Sequence, residues 1–135
     1  MIVDASVLVA VVRREPDYAD FLAALSVDPV NRISAATYLE ASIVVDGGRN
    51  PILSRYLDDF IASAAISIEP VTERQAHIAR DAYRDYGKGS GHPAGLNFGD
   101  CFAYALARDL GEPLLYKGTD FAHTDIRSAL ADAPR

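Results

Sequence analysis

Short apolar runs along this chain alternate with longer segments in which apolar residues recur every three or four positions. Four of the short runs are bounded by polar or turn-forming residues, which is typical of strands in a parallel sheet. We predict strands at residues 1–4, 31–34, 66–70 and 113–116. The intervals between them are long enough to hold helices.

The longer segments have the periodicity of amphipathic helices. We predict helices at residues 6–12, from Pro16 to about 25, at about 36–45, at 51–64, from 73 to about 87 and at 98–110. Thr72 and Gln75 have the spacing of a capping box, and Asn97 is placed to cap the last helix. The glycine-rich stretch 87–95 fits neither element and is predicted to be a long flexible loop.

This order of elements predicts an α/β fold in which a short parallel sheet is covered on both faces. A length of 135 residues suits one domain, so we expect a single domain over residues 1–135. Ligands of such open sheets bind beyond the carboxyl ends of the strands. Asp4 lies at one of these ends and Asp120 just past another, so both acids are expected at the same edge.

Composition narrows the classes of protein to which the chain can belong. The single cysteine, Cys101, excludes an internal disulfide and a four-cysteine zinc site, and it suits a reducing cytosol. No basic-then-apolar leader and no apolar run of membrane-spanning length is present, so we expect a soluble cytoplasmic protein. The net charge of −6 argues against broad attraction to nucleic acid, unless cations offset the acids where a polyanion approaches.

Two further acids do not match their apolar surroundings. Glu40 shares a helical face with Ala36, Ile43 and Val44, where an unpaired carboxylate is costly, although it could also reach solvent at the edge of that face. Asp100 falls in the first turn of a very apolar helix, a position that the helix dipole favours by itself. The neighbouring Gly99 would let a ligand or the backbone approach closely.

Asp4 also has a purely structural explanation, as the cap of the helix that follows it. Whether other acids lie at the same sheet edge decides between a structural cap and a functional site. Three or four carboxylates at one poorly solvated sheet edge repel each other strongly and are stable together only with cations. Oxygen ligands without histidine or cysteine favour Mg²⁺ or Mn²⁺ over zinc. Carboxylate-bound Mg²⁺ is typical of enzymes that hydrolyse phosphodiesters.

The motifs that carry these acids resemble those of a known family. They are Asp4 after an apolar strand, Ser-Ala-Ala-Thr-Tyr-Leu-Glu at 34–40, Asn-Phe-Gly-Asp at 97–100, and Lys-Gly-Thr-Asp-Phe at 117–121. Their order and spacing closely resemble those of PIN-domain ribonucleases, specifically the VapC-type toxins of bacterial toxin–antitoxin pairs. The resemblance covers the whole chain. It implies a three-layer α/β/α sandwich and RNA cleavage that depends on Mg²⁺ or Mn²⁺.

The resemblance also implies roles for individual residues. The acids matching the catalytic motif are Asp4, Glu40, Asp100 and Asp120, of which the first three would bind the metal directly. Many PIN domains carry the fourth acid a residue or two earlier, where this chain has Gly118 and Thr119. The donors expected to orient the carboxylates are Ser6, Thr37 and Asn97, and candidate RNA contacts are Lys117 and Arg14.

The implied reaction is hydrolysis of an RNA phosphodiester that leaves a 5′-phosphate. The implied partner is a VapB-type antitoxin that covers the acid site, in a toxin–antitoxin hetero-oligomer, and homodimers are common in the family. Two alternatives remain open. One is a PIN-like binding or regulatory module with little activity. The other is a phosphotransfer domain with Asp4 as nucleophile, although the second acid that such sites require is replaced by Ser6.

Overall fold

The computed structural model describes residues 1–130 as alternating strands and helices. The strands are β1 (Ile2–Val3), β2 (Asn31–Ser34), β3 (Ile66–Glu69) and β4 (Leu114–Leu115). The helices are α1 (Ala5–Val12), α2 (Tyr18–Val27), α3 (Ala35–Gly47), α4 (Pro51–Ser63), α5 (Glu73–Tyr86) and α6 (Phe98–Leu110), with a 3₁₀ helix at Asp120–His123. All four predicted strands and all six predicted helices are present, with differences at their ends.

The four strands form one parallel sheet in the order β3-β2-β1-β4. Successive strand residues face opposite sides of a sheet, so each strand contributes to two cores. Val3 and Leu115 pack with helices α1 to α4 on one side, whereas Ile2 and Leu114 pack with α5 and α6 on the other. The molecule is therefore the predicted three-layer α/β/α sandwich with a short central sheet.

Capping side chains set where several helices begin. Asp4 caps α1 and Ser34 caps α3, each immediately after a strand. The cap at Ser34 starts α3 at Ala35, one residue before the predicted start, and the helix continues through Gly47. These tight strand-to-helix turns place the first residues of α1 and α3 at the carboxyl edge of the sheet.

The start of α2 differs from the prediction. The helix begins at Tyr18, two residues after the predicted first residue, Pro16. The amide of Tyr18 donates a hydrogen bond to the carbonyl of Glu15 at 2.9 Å, which closes a turn before the helix begins. This turn brings Glu15 and Asp17 to one place on the surface, where both bind Lys117.

No helix within residues 1–130 is both long enough and apolar enough to cross a membrane. The loop predicted from the glycine-rich stretch is present between α5 and α6, and its ends meet where the amide of Lys88 donates to the carbonyl of Leu96 at 2.8 Å. The loop therefore returns the chain directly to Asn97, the residue that caps α6.

Candidate active site

Asp4 occupies the end of the central strand and is almost completely buried, with 5% of its surface exposed. One carboxylate oxygen, Oδ2, accepts hydrogen bonds from the Ser6 amide at 3.1 Å and the Ser6 hydroxyl at 2.7 Å. The other, Oδ1, is buried and has no hydrogen-bond partner among the described residues. Burial raises the pKa of Asp4 although these bonds favour the charged form. A buried carboxylate oxygen without a hydrogen-bond partner is a group that a cation would stabilise.

Ser6 also connects two neighbouring strands at this edge. Its hydroxyl oxygen accepts a hydrogen bond from the backbone amide of Lys117 at 3.0 Å, just after β4. The same hydroxyl donates to Asp4, so both its donor and its acceptor capacity are used. Ser6 therefore orients the Asp4 carboxylate, and it fixes the start of the turn that leads to Asp120.

Asp100 is held by a reciprocal cap at the start of α6. The side chain of Asn97 accepts from the Asp100 amide at 2.9 Å, and the Asp100 carboxylate accepts from the Asn97 amide at 3.0 Å. Burial raises the pKa of Asp100 to about 6, and the charges of Asp4 and Asp120 add to that effect. The hydrogen bond from Asn97 acts in the opposite direction. Asp100 is therefore rigidly placed, and its charged form is destabilised.

Glu40 reaches the same place from α3 and is partly buried. Its carboxylate lies directly against Gly99, so closely that a Cβ atom at position 99 would collide with it. The close approach predicted at Gly99 for a ligand or backbone is made instead by the Glu40 side chain. Burial raises the pKa of Glu40 to about 7, followed by the charges of Asp4 and Asp100.

Asp120 completes the group at the start of the 3₁₀ helix and is exposed. Its charge raises the pKa of both Asp4 and Asp100, which places it within electrostatic reach of each. We refer to Asp4, Glu40, Asp100 and Asp120 as the acid cluster. The structure thus brings together the four acids selected from the sequence. Asp4 follows β1, Glu40 lies on α3, Asp100 lies on α6, and Asp120 begins the 3₁₀ helix.

The acid cluster is not a closed metal cage. Within residues 1–130, no three His, Cys, Asp or Glu side chains are arranged so that they could hold one metal ion together. The features that suit a cation are the unpaired buried oxygen of Asp4 and the all-oxygen donor set. A cation here would bind one or two carboxylates and keep water for its other positions, as Mg²⁺ usually does.

The other residues predicted for the site have different surroundings. Asn97 and Ser6 bind acids of the cluster, as expected of orienting donors. Thr37 is buried, and its hydroxyl has no hydrogen-bond partner among the described residues. Arg14 has a φ of 52° and its guanidinium lies 6.0 Å from the centre of the Tyr18 ring.

Lys117 is already bound by two carboxylates. Its ammonium donates to Glu15 at 2.9 Å and to Asp17 at 3.1 Å. Sequence analysis missed both partners, because their pairing depends on the turn before α2. The proline at position 16, between the two acids, was the available sign of a turn. RNA contact by Lys117 or Arg14 stays a prediction, and for Lys117 it would require exchange of these ion pairs.

The raised pKa of Glu40 predicts a pH-dependent stability when divalent metal is removed by EDTA. The pKa is about 7 in the folded protein against 4.5 for an ordinary glutamate, so the folded state holds this proton more tightly. Its contribution to stability is complete below about pH 4.5 and is lost as the pH rises through about 7. Thermal melts of the parent and Glu40→Gln should show a smaller decline for the variant between about pH 5 and about pH 8. An equal decline in melting temperature for the two proteins would contradict the raised pKa of Glu40.

Known proteins match this chain over almost all of its length. The model of the PIN domain matches residues 1–127. Ribonuclease VapC28 of Mycobacterium tuberculosis is 58% identical over 130 residues, which are 96% of this chain and 98% of that protein. Ribonuclease VapC42 of the same organism is 47% identical over 129 residues, with the same coverage of 96% and 98%.

Solved structures show the same fold at low sequence identity. The crystal structure of VapC20 of Mycobacterium tuberculosis, described as a sarcin–ricin loop cleaving toxin, superposes with a TM-score of 0.75 at 16% identity and covers 93% of this chain and 95% of that one. A toxin–antitoxin complex from Klebsiella pneumoniae gives a TM-score of 0.66 at 19% identity, covering 90% and 89%. The chain therefore belongs to the PIN-domain family, in its VapC branch.

Proposed function

We propose that this protein is a metal-dependent endoribonuclease that hydrolyses RNA phosphodiester bonds with Mg²⁺ or Mn²⁺ as cofactor. The observation that carries the proposal is the buried carboxylate of Asp4, which has one unpaired oxygen and lies among three other acids. Such a group is poorly stabilised by protein contacts alone and suits a divalent cation. Two relatives at 58% and 47% identity bear the name ribonuclease, which supports the same activity here.

Asp4 and Asp100 are best placed to hold the metal, with Glu40 beside them. Asp4 offers its unpaired oxygen, and Asp100 is fixed by its cap with Asn97. When bound, a divalent cation would lower the pKa of water and neutralise charge on the phosphate. Hydrolysis then adds water across the phosphodiester and leaves a 5′-phosphate and a 3′-hydroxyl.

The side chains around the metal position would orient the acids and bind a proton. Ser6 orients Asp4 through two hydrogen bonds, so the carboxylate needs no rearrangement when a cation arrives. Glu40, with a pKa of about 7, holds a proton for part of the time at neutral pH. It would lose that proton when a cation enters, because positive charge favours the carboxylate. Asp120 is exposed at the mouth of the cluster, where it would act through water or hold the turn.

We further propose that a VapB-type antitoxin covers the acid cluster and inhibits the enzyme in the cytoplasm. The toxin–antitoxin complex with the same fold supports such a partner. A basic side chain from the antitoxin would find carboxylates that form no ion pair with a cationic side chain among residues 1–130. The expected assembly is a hetero-oligomer that includes a toxin homodimer, as the resemblance to this family implies.

The most direct test of the metal role is Asp4→Asn. The amide keeps the shape of the carboxylate and removes one negative charge from the acid cluster, so without metal the variant should be as stable as the parent or more stable, by on the order of 1 kcal/mol. Mg²⁺ should raise the melting temperature of the parent more than that of the variant, because the variant lacks a ligand. RNA cleavage by the variant should be almost abolished.

Melting curves with and without Mg²⁺, beside an RNA cleavage assay, measure these effects. A variant that is markedly less stable without metal would show that Asp4 serves chiefly as the cap of α1. Cleavage at the parental rate would end its catalytic assignment, and full activity of the parent in EDTA would exclude metal dependence.

Gly99→Ala tests the position of Glu40. The new methyl group would collide with the Glu40 carboxylate and push it away from the acid cluster. We expect RNA cleavage to fall by tenfold or more, since small displacements of catalytic groups cost about 100-fold in other enzymes. Gly47→Ala is the matched control, because Gly47 ends α3 with no atom within 4 Å of the added methyl. Equal activity of the two variants would show that the position of Glu40 is unimportant.

A further inference from the structure

A groove of about 520 Å³ lies between α5 and α6, separate from the buried part of the acid cluster. Aromatic and basic side chains form its walls, namely Phe98, Phe102, Tyr83, Arg80 and Arg84, while alanines and Cys101 complete the lining. The proposed metal site does not use these aromatic and basic side chains. Exposed aromatic surface in a folded protein is unusual enough to call for an explanation.

The aromatic rings are exposed but fixed in position. Phe98 is 77% exposed, and its ring packs edge-to-face against Phe102 with centroids 4.9 Å apart at an angle of 87°. Tyr83 is 45% exposed, and its hydroxyl donates to the carbonyl of Lys88 at 3.2 Å. Rings held in this way present flat apolar faces without much further loss of conformational freedom on binding.

The charge of the groove is opposite to that of the whole protein. Its lining contains two arginines and no carboxylate, although the chain carries a net charge of −6. Arg84 is paired with Asp81 and Asp85 outside the lining. Arg80 forms no ion pair with any described residue, so its charge is available to an anionic ligand.

The groove and the acid cluster share the first turn of α6. Phe98 precedes Asp100 by two residues on this helix, and Cys101, the next residue, lines the groove. A strand cut near Asp100 would therefore extend around that turn to reach the aromatic rings.

We propose that this groove binds unpaired bases of single-stranded RNA next to the cleaved bond. Bases stack on Phe98 and Tyr83, while Arg80 contacts a phosphate. The proposal rests on the proposed function for the identity of the polymer. A second copy of the chain would be the other occupant of an exposed aromatic surface, but an arginine without a carboxylate partner favours a polyanion.

The test is binding of a fluorescently labelled single-stranded oligoribonucleotide in EDTA and low salt, measured by anisotropy. Phe98→Ala should weaken binding about tenfold, the usual effect of removing one stacking ring. An abasic strand of the same length keeps the phosphates, so it should bind the parent more weakly than the base-containing strand and should not distinguish the parent from the variant. Ile52→Ala is the matched control, since Ile52 is 78% exposed on α4 and lies outside the groove.

Arg80→Gln tests the phosphate contact independently. Removing one phosphate contact should reduce the slope of log affinity against log salt by about 0.7, the value for single strands. It should weaken base-containing and abasic strands to a similar extent. An unchanged slope would overturn the role of Arg80.

The outcomes separate this proposal from the proposed function. Equal binding of Phe98→Ala and the parent, with normal cleavage by the parent, overturns the groove and leaves the enzyme intact. Base-dependent binding that needs Phe98, without cleavage by the parent in either Mg²⁺ or Mn²⁺, supports the groove and overturns the enzyme. Conversion of a dimer to a monomer by Phe98→Ala in sedimentation experiments, with unchanged RNA binding, would assign the groove to a contact between copies and overturn the proposal.

Discussion

The cost of charging carboxylates buried at the carboxyl edge of a short sheet, to which their mutual repulsion adds, is the constraint on which the site depends. Burial raises the pKa of Asp4, Glu40 and Asp100, and the neighbouring acids raise them further. The fold offsets this with fixed donors, from Ser6 to Asp4 and from Asn97 to Asp100. These bonds orient the acids but leave one oxygen of Asp4 unpaired. In the proposed account, these fixed carboxylates lose their protons and bind a divalent cation.

Sequence reasoning found the parts of this site that depend on local pattern. Asp4 was visible at the end of an apolar run, and Asp100 in the capping motif with Asn97. Glu40 was visible as an acid on an apolar helical face. The parallel sheet then brings these positions to one edge, because the carboxyl ends of parallel strands lie together. The parallel topology was therefore enough to predict that the acids lie together. The catalytic roles of the acids and the single domain over residues 1–135 stay predictions.

Features that depend on tertiary contacts were not predictable in the same way. The pairing of Lys117 with Glu15 and Asp17 joins positions 100 or more residues apart and requires the turn before α2. The α5–α6 groove combines residues from two helices joined by a glycine-rich loop. Phe98 and Phe102 are four residues apart, a spacing that places two rings on one helical face, but the contribution of α5 to the groove depends on how the two helices pack. The missing hydrogen-bond partner of the Thr37 hydroxyl had no signal in the sequence.

The charge of the chain gives the site a second requirement. An acidic protein must bring a polyanion to a cluster of carboxylates, so positive charge has to come from bound cations and from local basic surface. In the proposed account, the metal is the bound cation, and Arg80 beside the aromatic rings provides the local basic surface. An antitoxin with a basic side chain would compete for the place of the metal. One electrostatic arrangement would thus account for catalysis, substrate approach and inhibition.

Calorimetric titration with Mg²⁺ at about pH 6.5, repeated in buffers of different ionisation enthalpy, tests this account most directly. At that pH, carboxyls with pKa values of about 6 and about 7 retain protons, and a bound cation should displace them. The account predicts net proton release on binding, seen as heats that depend on the buffer and become independent of it above about pH 8. Metal binding with heats independent of the buffer at pH 6.5 would show that the cluster does not hold its protons in this way.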